Sequence, residues 1–359
     1  MTIKLFTFLS ILGILFLSMP FASAEPKIDI SAKSAILVVV DTGEILYEKN
    51  AHERLPMAST TKIMTSLITL ESDYLQKEIV VKKAMSSVEG TSMGLLEGDR
   101  VTIKALVYGM MLKSGNDAAN AIALTLADSK EDFAELMNQK AKELKMYNTN
   151  FETASGLDSK NHYSTAYDMS LLGCEAVNNP QLAYICSQKE KTLYFGNPAY
   201  RRVLKNHNRL LWDYDGADGI KTGFTKKSGR CLVSTAKRNG VKLLAVTLNA
   251  PKDWQDHKKL FDYGFSIVHN QDVKSSIKFV SLKIAGGTKN RVKVETQYVP
   301  NIPIVNGKND EITEKFYLKR FEYAPLKKGA VVGEARYYRE NKLICTIPIL
   351  TAEDAYQKK

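Results

Sequence analysis

Apolar and polar positions along the chain fall into two regimes. Up to about Asn270, strand-like runs alternate with segments of helical spacing; beyond it only short β-branched runs remain. Residues 34–41 hold the continuous apolar run Ala35-Ile36-Leu37-Val38-Val39-Val40, of strand length. Asp41-Thr42-Gly43 is a turn signal, and residues 44–49 alternate like the second strand of a hairpin. Helical spacing predicts helices from Ser59 to about Glu71, over 101–111 with Thr102 near the start, and over 118–127, 131–145 and 167–178; residues 182–200 are left unassigned. Residues 230–237 and 241–249 flank Arg238-Asn239-Gly240, where Asn-Gly favours a tight hairpin, and 254–268 read as a closing helix. Strands at both ends with helices between them predict an α+β domain over 25–270, an antiparallel sheet packed with helices. The runs 277–284, 291–299, 331–338 and 343–350 predict a small all-β domain over 271–359.

The N-terminus changes the picture of where this fold works. Lys4 precedes an apolar run over 5–17, and Ala22-Ser23-Ala24 suits signal peptidase. The run is short for a permanent membrane span, so residues 1–24 are expected to be a cleaved leader and the mature protein to start at Glu25, outside the cytoplasm. The formal charge is +11, and losing Lys4 makes it +10. A basic exported protein is drawn to anionic lipid or wall polymer; export, and the lack of an arginine stripe interleaved with aromatics, argue against nucleic acid. The four cysteines match no zinc or haem spacing and are too few for a disulfide scaffold, although one disulfide is compatible with export. Cys231 reads as core. No metal or cofactor is expected.

Candidate chemistry lies in three short stretches. Pro56-Met57-Ala58-Ser59-Thr60-Thr61-Lys62 puts Ser59 and Lys62 three residues apart, on one face of the expected helix. A serine hydroxyl needs a base, and a lysine one turn away serves if its surroundings keep it neutral. Ser114-Gly115-Asn116 lies between two helical segments, where a glycine turn can aim a hydroxyl and an amide into a cleft. Lys221-Thr222-Gly223 follows a polar loop and is expected on an edge strand facing the same cleft, Gly223 leaving room for a substrate backbone. Each triplet alone is common.

Together and in this order they form the set S-x-x-K, S-x-N and K-T-G of penicillin-recognising enzymes. The chain resembles the low-molecular-mass penicillin-binding proteins of the serine D-alanyl-D-alanine carboxypeptidase family. Its second motif has that family's Ser-Gly-Asn form, and Ser155-Gly156-Leu157-Asp158 with His162-Tyr163-Ser164-Thr165-Ala166 adds to the likeness. The resemblance spans about residues 28–269 and implies a β-lactamase/transpeptidase-like catalytic fold followed by a small all-β domain.

The resemblance also implies roles. Ser59 attacks the carbonyl between two D-alanines of a peptidoglycan stem peptide, and Lys62 takes its proton. Ser114 relays a proton to the leaving amine, and Asn116 holds Lys62 and the substrate amide. Lys221 acts as a fixed positive charge, and with Thr222 it receives the substrate carboxylate. The backbone N–H groups of Ser59 and Phe224 form the oxyanion hole, and β-lactams acylate Ser59. His162 is expected to be a buried, hydrogen-bonded histidine and His257 to pack or cap at a helix start. Some relatives carry a carboxylate-binding arginine just after the last sheet strand, but Asn249-Ala250-Pro251-Lys252 has none.

The alternatives are a β-lactamase, for which no Glu-x-x-Leu-Asn segment is found between the second and third motifs, a transpeptidase, and a non-catalytic wall-binding protein. The C-terminal stretch after Leu350 has too little apolar surface for an amphipathic anchor, so no stable membrane anchor is expected there, and the enzyme is expected near the wall.

Overall fold

The structure, a computed structural model, describes residues 28–273, 277, 280–298, 301–306, 311–339 and 341–359. The expected leader lies outside these residues. In chain order the first part contains β1 (Ser34–Val39), β2 (Ile45–Lys49), α1 (Lys62–Glu71), β3 (Glu78–Val80), α2 (Lys83–Ser86), β4 (Arg100–Thr102), α3 (Ile103–Lys113), α4 (Asn116–Leu126), α5 (Lys130–Glu143), α6 (Ala166–Asn178) and α7 (Pro180–Ser187). It continues with β5 (Glu190–Gly196), β6 (Ala199–Lys205), α8 (Leu210–Asp213), β7 (Ala217–Thr225), β8 (Gly229–Arg238), β9 (Val241–Leu248) and α9 (Asp253–Ile267).

β1, β2, β7, β8 and β9 form one antiparallel sheet in the order β2-β1-β9-β8-β7, so the ends of the segment meet at its centre. Both faces of that sheet are covered, which explains why β1 is apolar throughout rather than alternating. Ile36 and Val38 pack with Ile63, Met64, Val233 and Leu244 under the helical layer. Leu37 and Val39 face Leu260 and Phe261 of α9. The β8–β9 turn places Asn239 and Gly240 at φ 47° and 81°, the left-handed values a two-residue hairpin requires.

Several expected boundaries move. Val101 belongs to β4, which pairs with β3, and the helix starts after it, capped by Thr102 Oγ1 accepting from Ala105 N at 3.2 Å. The unassigned stretch 182–200 contains most of α7, all of β5 and the start of β6, and the two strands form a hairpin exposed along much of its length.

The remainder is all β: β10 (Val268–Asp272), β11 (Ser281–Ala285), β12 (Arg291–Thr296), β13 (Asn301–Val305), β14 (Ile312–Leu318), β15 (Glu322–Tyr323), β16 (Val331–Arg339) and β17 (Lys342–Thr351). Six strands form a sheet in the order β14-β16-β17-β12-β11-β15, with a core that includes Val292, Val332, Tyr337, Ile347 and Ile349. β13 and β14 lie outside the apolar runs noted above. The all-β part folds back on the first: β10 leaves α9 and pairs with β13, and Val305 joins the α9-side core. Arg339 Nη1 meets Glu44 Oε2 at 2.7 Å, and Lys342 Nζ donates to Thr42 O at 2.9 Å. Among the described residues no helix is long and apolar enough to cross a membrane.

Candidate active site

Ser59 lies in a single 3₁₀ turn, Ala58–Thr61, and the α-helix begins only at Lys62. The expected α-helical start at Ser59 is therefore shifted by one turn, with a chemical consequence. Side chains three apart eclipse in 3₁₀ geometry, bringing Lys62 Nζ to 2.8 Å from Ser59 Oγ. The turn starts from a strained residue, Ala58, at φ 49°. Gly156 lies against it, where a Cβ would come within 2.0 Å of Ala58 O; only glycine fits there.

Lys62 is fully buried and makes three contacts: with Ser59 Oγ, Asn116 Oδ1 (2.7 Å) and Ser155 O (2.6 Å). Asn116 Nδ2 donates to Glu89 O at 2.6 Å, which fixes Oδ1 toward the lysine. Burial, and secondarily the nearby charge of Lys221, push the Lys62 amine well below its ordinary 10.5, against an opposing pull from Asp117. A neutral amine has two N–H bonds and one lone pair. The Asn116 and Ser155 oxygens can only accept, so they take both N–H bonds and the lone pair is left for the Ser59 hydroxyl proton.

α3 ends at Ser114, whose φ of 58° and ψ of 31° turn the chain directly into α4 and Asn116. A neighbouring loop fixes that corner. Thr91 Oγ1 donates to Ser114 O (2.7 Å), and Asn116 N donates to Thr91 O (2.7 Å). Asp117, fully buried, accepts from Ser92 Oγ at 2.5 Å and from the backbone N–H groups of Met93, Gly94 and Leu95 at 2.9–3.0 Å. Neither Thr91 nor Asp117 was singled out from the sequence; the only signal was Asp117's position next to the second motif.

Lys221, Thr222, Gly223 and Phe224 lie on β7, the edge strand expected for them. Gly223 passes so close to the serine turn that a Cβ would come within 3.0 Å of Ser59 N and 3.1 Å of Met57 O. Thr222, Gly223 and an exposed Phe224 share a cleft of about 440 Å³ with Ser59, Thr91 and Ser114. Lys221 is 1% exposed, is not part of the cleft lining, and donates to Thr222 O at 2.9 Å. Burial lowers its pKa to about 7, which makes its charge sensitive to pH near neutrality.

The far end of the cleft is lined by Arg230, Asp253 and Trp254. Arg230 stands opposite Phe224 on β8, donates from Nε to the buried Asp253 Oδ1 at 2.9 Å, and lies 5.5 Å from the Trp254 ring centre. No arginine follows the last sheet strand directly; Arg209 and Arg230 are the arginines that line the cleft among the described residues. Arg230 was legible in the sequence only as a charged residue at the start of a strand.

His162 is buried, with burial lowering its pKa to about 4. Its Nδ1 accepts from Glu152 N at 3.0 Å, so Nε2 carries the proton toward Thr61 Oγ1 (2.8 Å), which in turn donates to Ala58 O (2.8 Å). The expected structural histidine therefore braces the strained residue before Ser59. His257, fully buried, bridges Ser234 Oγ at 2.5 Å and Thr247 Oγ1 at 2.9 Å, and so packs α9 on the sheet. All four cysteines are free, and burial raises the Cys231 thiol to about 11. No cluster of His, Cys, Asp and Glu suited to a metal occurs among the described residues.

The D-alanyl-D-alanine carboxypeptidase family matches residues 19–252. The chain belongs to that family. The C-terminal domain of penicillin-binding protein 5 matches residues 267–357. The carboxypeptidase DacF of Bacillus subtilis is 33% identical over 333 residues, 90% of this chain and 85% of that one. Among solved structures, penicillin-binding protein 5 of Haemophilus influenzae has a TM-score of 0.66 at 29% identity, covering 92% of this chain and 98% of its own. The Streptomyces K15 DD-transpeptidase has a TM-score of 0.64 at 31% identity, covering 67% and 98%.

Proposed function

We propose that this carboxypeptidase family member removes the terminal D-alanine of peptidoglycan stem peptides through an acyl-enzyme on Ser59. One observation carries the reading: the buried Lys62 Nζ lies 2.8 Å from Ser59 Oγ and also touches Asn116 Oδ1 and Ser155 O, which can only accept, so the neutral amine offers its lone pair to the serine. Ser59 attacks the penultimate carbonyl as Lys62 takes its proton. The N–H groups of Ser59 and Phe224 receive the developing oxyanion. Ser114 passes the proton from Lys62 to the leaving amine, Asn116 holds Lys62 in place, and water releases the acyl group. Thr222 and the outward-facing Arg230 receive the terminal carboxylate. Lys221, behind the cleft wall, supplies long-range charge; a bound carboxylate favours its protonated form. Penicillin acylates the same serine. Deacylation by a class A β-lactamase needs a free carboxylate over the ester, and among the described residues the carboxylate lining this cleft, Asp253, is committed to Arg230.

The likeness to a DD-transpeptidase supports a second reading, in which an amine replaces water in the last step. Incubating residues 25–359 with a pentapeptide ending in D-Ala-D-Ala, with and without a D-amino acid acceptor, separates them. Free D-alanine with a shortened tetrapeptide supports hydrolysis; an acceptor-containing product in excess over tetrapeptide supports transfer, and no D-alanine refutes both.

The protein works outside the cytoplasm after loss of residues 1–24, in contact with the wall, and is divided into a catalytic unit over 25–270 and a β unit over 271–359. The cut at 270 passes through β10, so deletion from Ser275 is expected to keep penicillin acylation while lowering thermal stability. Loss of acylation in a still-folded deletion would show that the β unit completes the site.

A further inference from the structure

The excess charge is concentrated in the all-β part. Residues 271–359 hold 17 Lys and Arg against 10 Asp and Glu, so +7 of the total +11 lies in a quarter of the chain. Within it, the structure has a hollow of about 560 Å³ floored by Ile284 and Ala285, with Lys283, Arg291, Arg320 and Phe321 around it. None of its lining residues is acidic. Lys283 and Arg291 are directly opposed in the β11–β12 register, a like-charge pair that destabilises a hairpin unless an anion lies between or above it. Among the described residues none of the three cations has an ion-pair partner; nearby Glu322 is committed to Lys319 at 2.5 Å, and Glu353 to Lys289. Arg291 is aimed by the neighbouring strand β11: Nε donates to Ser281 Oγ at 2.7 Å and Nη2 to Ser281 O at 2.9 Å. Phe321, 48% exposed, is held edge-on to Tyr323, 65% exposed, with ring centres 5.3 Å apart.

We propose that this hollow is a binding site for a phosphodiester-linked polyol, an anionic polymer of the wall. Unpaired guanidinium and ammonium groups match repeating phosphates, and the apolar floor with the Phe321 edge matches the carbon backbone between them. The cations around a small apolar floor favour a repeating phosphodiester chain over a lipid surface, which needs a broader apolar face to enter the headgroup layer. The site would hold the enzyme beside its substrate polymer, independently of the Ser59 chemistry.

The test uses residues 25–359 and soluble poly(glycerol phosphate), with dextran as the neutral control and phosphatidylglycerol vesicles as the lipid arm. Affinity is measured across NaCl concentrations. The protein is expected to bind the polymer and not dextran, with log affinity falling linearly in log salt. K283A/R291A/R320A is expected to flatten that slope by about 2 to 3, at roughly 0.7–0.9 per released counterion. K283Q/R320Q, which keeps the Arg291–Ser281 bonds, should flatten it by about 1.5 on the same scale. Phe321→Ala should lower affinity at unchanged slope. Unchanged penicillin acylation and a thermal unfolding temperature that is not lowered in each variant separate this outcome from misfolding and from the catalytic reading. Wild-type failure to bind the polymer, an unchanged slope in both cation variants, or equal binding to vesicles with the same variant dependence would each overturn the proposal.

Discussion

Lys221 is a charged group buried without a carboxylate, and replacing it with Met makes a measurable trade between stability and function. Burial lowers its pKa from 10.5 to about 7 in the folded protein. At 1.36 kcal/mol per pKa unit, keeping it ionised at pH 7 or below costs the native state about 5 kcal/mol as an upper bound. Losing the bond to Thr222 O takes back about 1 kcal/mol. Between pH 7 and 10.5 the unfolded chain binds a proton at this lysine that the folded chain does not, so wild-type stability rises with pH in that window. Lys221→Met should therefore be more stable than wild type by roughly 2–4 kcal/mol at pH 6, the gain falling by about 1.4 kcal/mol per unit above pH 7 and vanishing between about pH 8.5 and 10. Relief of Lys62, whose amine the Lys221 charge also disfavours, acts in the same direction. Urea unfolding of both proteins from pH 6 to 10 reads the difference directly. A pH-independent offset, or a variant less stable at pH 6, would refute the reasoning.

Arg230→Ala should lower acylation by peptides with a free terminal carboxylate by about ten- to a hundredfold, the range of a lost charge-assisted hydrogen bond, and leave peptide amides nearly unaffected; equal losses would remove Arg230 from carboxylate recognition. Gly223→Ala should lower acylation by about a hundredfold with a small change in melting temperature, because the methyl displaces the Ser59 turn and not a core contact; wild-type rates would contradict the close approach. In a pH–kcat/KM profile both limbs should lie below the ordinary lysine value, since Lys62 must be neutral and Lys221 charged, and they report the pair together. An alkaline limb unmoved by Lys221→Met would exclude that lysine as its source.

Much of this was legible in sequence because local pattern and tertiary role agree. The apolar run in β1, the Asn239-Gly240 turn and the three motifs each state their own geometry, and the fold brings Ser59, Lys62, Ser114, Asn116, Thr222 and Gly223 together. What was hidden depends on contacts far apart in the chain. The 3₁₀ start at Ala58 is held by Gly156 and by His162 through Thr61, about a hundred residues away. Arg230 becomes a cleft residue only because β8 lies beside β7 and Asp253 returns over it from α9. The strands β5 and β6 carry exposed Tyr194, Tyr200 and Val203, which blurs the alternation that would have marked them.

The central claim is that Ser59, activated by a neutral Lys62, carries the acyl group. Its most direct measurement is peptide mapping by mass spectrometry after incubation with penicillin, on the wild type and on Ser59→Ala. A single penicilloyl group on the peptide containing Ser59, absent from the variant along with D-alanine release, is the predicted result. An adduct on another residue such as Ser114, or one that persists in Ser59→Ala, would contradict it.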